Sequence, residues 1–163
     1  MKNLCNFDCF LDVGANTGTI CIPLAVMYPD KKFFAFEPNP EAFARLRFNH
    51  SLNHAPNLTL INAALGEEAA QKKLFVSGNI GGGSIHETAK GRGFDVDMMR
   101  LDEFFEKNSI GERSAVKIDV EGYEDRVIMP LFENTAHDKW PTLVILEHIH
   151  KHLWQRDCIE FML

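Results

Sequence analysis

Leu11-Asp12-Val13-Gly14-Ala15-Asn16-Thr17-Gly18 is the stretch on which the reading of this chain turns. The apolar run Cys9–Val13 reads as a strand. It carries an acidic residue near its end and passes directly into two glycines four residues apart. Glycine is needed where the backbone takes positive φ or lies against another group, because a Cβ would collide there. A helical pattern follows over Thr19–Met27, with Ile20, Leu24 and Met27 on one stripe. Pro23 is tolerable because it falls near the first turn, where few hydrogen bonds are lost. In an open parallel sheet, ligands bind in the crevice beyond the strand ends. Two glycines alone fit a plain structural turn equally well.

The residues further along decide between those readings. A second strand, Lys32–Phe36, ends at Glu37-Pro38-Asn39-Pro40, where Asn39 is a good N-cap and Pro40 a good first helical residue. That helix turns Phe43 and Leu46 inward and a Glu41/Arg45 pair outward. Glu37 stands 23 residues beyond Gly14, the spacing at which an acidic side chain meets a ribose. Its carboxylate can accept from two neighbouring hydroxyls. Leu58–Asn62 reads as a third strand, and residues 66–100 then break the rhythm. There Lys72–Ser77 and Phe94–Met99 read as short strands around a glycine-rich segment, Gly78–Ser84, which is a substrate-side loop or a plain hairpin connection. A brief helix, Asp102–Lys107, leads to a fourth core strand, Ala115–Val120, and a helix from about Tyr123 is kinked or ended by Pro130. Thr142–Glu147 is the fifth core strand, and His150–Leu163 reads as one helix with Trp154, Cys158, Phe161 and Met162 on a face.

Composition narrows the class. One domain over residues 1–163 suits this length, and 45% hydrophobic residues with thirteen Phe support a packed core. A net charge of −6 lacks the clustered cations that binding nucleic acid requires, so no nucleic-acid partner is expected. No apolar run approaches the roughly 20 residues that span a bilayer, and Met1–Asp8 has no signal-peptide core, so no membrane partner is expected. Cys5, Cys9, Cys21 and Cys158 are scattered; the first two are at most half a zinc site. Reduced thiols and a cytoplasmic location follow as the expectation.

Dinucleotide folds use G-x-G-x-x-G with a helix N-terminus facing pyrophosphate. Here the turn lacks the first close glycine, which counts against a nicotinamide oxidoreductase, and Asp12 would repel a pyrophosphate while suiting a cation. The chain resembles a class I S-adenosylmethionine-dependent methyltransferase, and more narrowly the FkbM family. Three blocks carry the resemblance: Leu11–Gly18, Phe36–Pro40 and Lys117-Ile118-Asp119-Val120-Glu121-Gly122-Tyr123-Glu124. Asn62–Gly66 and Leu74–Gly78 are supporting matches. The resemblance implies a Rossmann-like α/β fold, an open and mostly parallel sheet of core order 3-2-1-4-5 with helices on both faces. It implies S-adenosyl-L-methionine as cofactor, with Asp12, Gly14, Ala15, Asn16, Thr17 and Gly18 along its methionine half. Glu37 would hold the ribose, Pro38 and Asn39 would lie near the adenosine, Ala63 and Ala64 would flank the adenine, and Asp119 would sit beside the methyl donor. The implied acceptor is a hydroxyl on a small molecule or sugar.

A hydroxyl acceptor needs a base as the C–O bond forms. Asp119, Glu121, Glu147 and His148 are the candidates, with Asp119 or His148 preferred and Glu121 serving as base or as cap of the next helix. Glu147, His148, His150 and His152 could be read as metal ligands, but solvated histidines at a helix start are commoner, and no metal is expected. The family usually closes its sheet with a C-terminal hairpin; none is expected from these residues, so Leu143–Leu146 is expected at an open edge. Such an edge invites a homodimer. The alternative is a shortened, non-catalytic module that keeps the fold and the cofactor.

Overall fold

All five residues of the strand β1 (Cys9–Val13) are buried. It forms the centre of a parallel sheet between β2 (Lys32–Phe36) and β8 (Ser114–Ile118), and the computed structural model describes residues 7–76, 83–85 and 91–163 around it. β3 (Leu58–Ile61) and β9 (Leu143–Leu146) complete the sheet in the order β3-β2-β1-β8-β9, all parallel, which is 3-2-1-4-5 counted along the core strands. Chain order reverses at β1, so the crevice beyond the ends of β1, β2 and β8 is the switch point of the sheet.

The two-residue period sorts the strands' side chains onto two faces. Phe10, Phe33, Ala35 and Ala115 pack with α1 (Cys21–Met27) and α2 (Pro40–Ser51) through Cys21, Ile22, Ala25 and Leu46. Leu11, Val13, Phe36, Val116 and Ile118 face the other way. They pack on α3 (Leu101–Lys107), α4 (Glu124–Asn134) and a second sheet through Leu101, Phe104, Val127, Ile128 and Leu131. The second sheet has the order β4-β7-β5-β6, from β4 (Ala64–Gly66), β5 (Ala70–Val76), β6 (Gly83–Ser84) and β7 (Arg92–Arg100). It occupies most of the stretch where the sequence rhythm breaks. Of the glycine-rich segment expected at Gly78–Ser84, residues 78–82 lie outside the described residues, and Gly83–Ser84 pairs antiparallel with Phe75 and Val76.

Five local expectations are corrected. α1 begins at Cys21 rather than Thr19 and buries Cys21, Ile22 and Ala25, leaving Ile20 and Met27 exposed. The chain turns through Ile20, and Ile22 packs directly over Gly18, which fixes a different helical phase. Glu41 pairs with Arg92 of β7 at 2.8 Å instead of with Arg45, a partner that only the second sheet brings near. Pro130 does not end α4, which runs four residues past it, since that proline sits among buried Val127, Ile128 and Leu131, whose packing outweighs one lost hydrogen bond.

The segment after His150 is not one helix. A short 3-10 turn, Lys151–Leu153, is followed by irregular chain and then α5 (Cys158–Met162). Buried Asp125 explains the break, because its Oδ2 accepts the amides of Gln155 and Arg156. Asp157 then caps α5 by accepting from Ile159 and Glu160. Asn62, expected at the end of β3, leaves the strand, and its amide donates to the carbonyls of Glu37 and Pro38. Among the described residues β9 pairs with β8 alone, and Ile145 on it is 47% exposed.

Candidate functional site

The tips of β1, β2 and β8 close around a cavity of about 1010 Å³, counting its open mouth. The glycine turn makes one wall. Gly14 has φ +79°, and a Cβ there would come within 1.9 Å of the Asp119 carbonyl, so β1 and the end of β8 approach this closely only through a glycine. The amides of Gly14 and Ala15 both donate to the Phe36 carbonyl, which binds the turn to β2. Asn16 follows in the left-handed region at φ 51°.

That turn delivers the Asn16 amide to Glu37. The Glu37 side chain is 7% exposed, with Oε2 accepting from Asn16 and Oε1 from Asn39, each at 2.8 Å. Burial pushes its carboxyl above the usual range, and the amides of Asn39 and Asn16 pull it back. Each oxygen keeps a lone pair after accepting one amide. Asn39 also caps α2, accepting from Glu41, so the helix start and the acid are built from the same four residues.

Asp12 is 1% exposed. Burial raises its carboxyl, opposed first by the charge of Lys117, whose Nζ lies 3.1 Å from Oδ1. The same ammonium is 3.3 Å from Oδ2 of Asp119. Opposite this acidic floor, Leu65, Leu74, Ile85 and Tyr123 give the cavity an apolar wall, drawn largely from the second sheet. That composition suits a ligand with one cationic, hydroxylated part and one flat apolar part.

Asp12, Gly14, Ala15, Asn16, Glu37, Pro38, Asn39, Ala63, Ala64 and Asp119 all line the cavity. Thr17 and Gly18 do not. The Thr17 carbonyl accepts from Asn49, and Gly18 is seated against Leu46 and Ile22, where it serves packing. His148 is exposed and also stands outside the cavity. The ladder with β8 continues one residue past β9, through the Glu147 amide to the Ile118 carbonyl, so it is Glu147 that shares the Asp119 face. Burial raises the Glu147 carboxyl, and the neighbouring Asp119 raises it further. Among the described residues no three His, Cys, Asp or Glu side chains come together in a way that could hold a metal.

Glu121, expected as base or cap, lines the cavity and pairs with His150 Nε2 at 3.0 Å. The carboxylate that organises this turn is Glu124, which is 1% exposed. Its Oε1 accepts from Val120 and Gly122, and its Oε2 accepts from Trp154 Nε1 at 2.7 Å. Sequence reasoning missed that role, although Glu124 stands in the quoted Lys117–Glu124 block. Lys117 was missed too. Its signal was available, since a lysine inside an otherwise apolar strand requires a partner.

A parallel α/β sheet with a glycine turn at its switch point, an acid at the tip of the next strand and a cavity in the crevice between them defines a Rossmann-like domain. The chain belongs to the FkbM methyltransferase family, whose domain description, Methyltransferase FkbM domain, matches residues 12–161. Hexuronic acid methyltransferase AglP of Haloferax volcanii is 32% identical over 125 residues, covering 74% of this chain and 48% of that protein. 31-O-demethyl-FK506 methyltransferase FkbM of Streptomyces tacrolimicus is 26% identical over 151 residues, covering 74% of this chain and 58% of that protein. The chain thus spans about half the length of these relatives. Among solved structures, precorrin-6y C5,15-methyltransferase of Geobacter metallireducens is similar at 17% identity and a TM-score of 0.46, over 82% of this chain and 51% of that one.

Proposed function

We propose that the cavity binds S-adenosyl-L-methionine and that this chain is a methyltransferase domain acting on a hydroxyl of a small molecule or sugar. The observation that carries the reading is Glu37, a buried carboxylate at the tip of β2 that lines the cavity with lone pairs to spare. A ribose diol is the natural donor to such a group. Asp12 and Asp119 supply negative charge in the same cavity, to which a cationic methionine half would be drawn. Ala63 and Ala64 leave room for a flat base beside the apolar wall. When bound, S-adenosylmethionine supplies a methyl carbon activated on a sulfonium.

The protein's task is then to align an acceptor and take its proton. Of the two preferred bases only Asp119 borders the cavity, so the proton of the acceptor hydroxyl is assigned to its carboxylate. The family and the two relatives, one named for a hexuronic acid and one for a 31-O-demethyl compound, support an oxygen acceptor on a sugar or small molecule. A cytoplasmic setting belongs to the same proposal, supported by the free, buried thiols of Cys9, Cys21 and Cys158. No helix among the described residues is long and apolar enough to cross a membrane.

Calorimetry with S-adenosylhomocysteine and with NAD tests the cofactor. Binding of the first and not the second is expected, and the reverse would replace the proposal with a dinucleotide site. Methyl incorporation across a panel of hydroxylated acceptors then tests the reaction.

A further inference from the structure

A lysine is seldom taken out of water without partners. Lys117 is 9% exposed at the floor of the cavity, and it has three. Its Nζ lies 3.1 Å from Asp12 Oδ1 and 3.3 Å from Asp119 Oδ2, and it donates to the Gly14 carbonyl at 3.2 Å. Strand register produces this meeting. Asp12 and Lys117 are in-register neighbours on β1 and β8, and Asp119 follows Lys117 by two, so all three share the α1 face.

We propose that Lys117 is a positioning residue of the cofactor cavity: its ammonium clamps Asp12, Asp119 and the Gly14 turn into one floor carrying a single net negative charge. The inference rests on the methyltransferase reading for its ligand, but the clamp is a property of the chain itself. A floor of that charge complements a cationic sulfonium half while still admitting the neutral product half. Without the ammonium, two carboxylates face one another across the tips of β1 and β8, one of them almost fully buried. Asp12 then takes a proton, and the charge of the floor follows pH.

Other groups that face this cluster modulate it without replacing the clamp. The Cys21 thiol of α1 faces Asp12, and burial pushes that thiol up to about 12, so it stays neutral. Glu37 at the tip of β2 faces both Lys117 and Asp12. Glu147, just beyond β9, faces Asp119, and Glu121 and Glu124 from the turn after β8 and the start of α4 add their charge to it. Burial works against the charge of Lys117, but Asp12 and Asp119 outweigh it and hold the lysine above its ordinary value.

Two measurements on the whole chain test the clamp. Carboxyl carbon NMR titration of the ligand-free protein should show Asp12 titrating at clearly higher pH in Lys117→Met than in the unaltered chain, with Lys117→Arg close to unaltered. An Asp12 titration unchanged in Lys117→Met overturns the proposal, whatever the protein binds. Calorimetry with S-adenosylmethionine and S-adenosylhomocysteine between about pH 6 and pH 8 reads the floor's charge. In the unaltered chain the ratio of the two affinities should stay flat, whereas in Lys117→Met it should rise by about tenfold toward high pH. A flat ratio in a folded Lys117→Met protein also overturns the clamp. If the unaltered chain binds neither ligand, the methyltransferase reading falls, and the Asp12 titration still decides the clamp. Should Lys117→Met fail to fold, Lys117→Gln carries the same two measurements.

Discussion

A single carboxylate carries the ligand reading, and its energetics are testable at that level. Glu37→Ala removes two charged hydrogen-bond acceptors from the crevice. It should weaken S-adenosylhomocysteine by about 1–3 kcal/mol in calorimetry. Unchanged affinity would remove Glu37 from the ribose. Glu147 gives a pH-dependent counterpart. Its carboxyl is raised by burial and by Asp119, so the folded chain gives up that proton at higher pH than the unfolded chain does. The group therefore costs stability once pH exceeds its folded value, and costs none below its unfolded value. Glu147→Gln keeps the shape and removes the charge. Thermal denaturation should show a higher Tm than the unaltered protein near pH 8, converging at acid pH; a Tm difference independent of pH would contradict this.

Between elements, the decisive joints are two turns at the ends of β1 and β8. Gly14→Ala would drive a methyl group into the Asp119 carbonyl in a backbone region that L-residues avoid. The expected loss exceeds about 3 kcal/mol of stability, read by chemical denaturation, because neither strand tip can yield without breaking the ladder. Glu124→Ala would strip partners from the Val120 and Gly122 amides and from the Trp154 indole. A cost of about 2–4 kcal/mol is expected from losing three hydrogen bonds to one buried carboxylate, and near-wild-type stability would show that water serves in its place. That carboxylate couples the start of α4 to the chain beyond β9. The long helix expected from His150 onward is interrupted by the same kind of buried acid, Asp125.

Over the whole molecule, two cores on opposite faces of one sheet leave the crevice open at its switch point, and the second sheet lines it through Leu65 and Leu74, joined by Ile85 just past β6. Ligand bound only by the folded chain should raise Tm by mass action. At a hundredfold excess over Kd the gain is about 2.7 kcal/mol, or roughly 5–10 °C for a domain of this size. S-adenosylhomocysteine should produce that shift and NAD should not. Sedimentation addresses the association expected along the open edge of β9, and a chain that stays monomeric at every concentration would remove that expectation.

The local signals in the sequence were strong wherever chemistry is written in adjacent residues. The strand–glycine–helix opening, the Asn39-Pro40 helix start and the five apolar core strands were legible, because period, caps and glycine spacing are properties of neighbouring positions, whereas the order of the strands came from the family resemblance. Ten of the twelve residues that the family resemblance places at the cofactor line one cavity. Tertiary structure alone decided the rest. β4 is three residues long and carries no period of its own; it exists because β7 pairs with it. Which face of α1 is buried depended on how Ile22 meets Gly18, and Lys117 meets Asp12 through strand register across 105 residues of chain, a distance over which no local pattern can specify a contact.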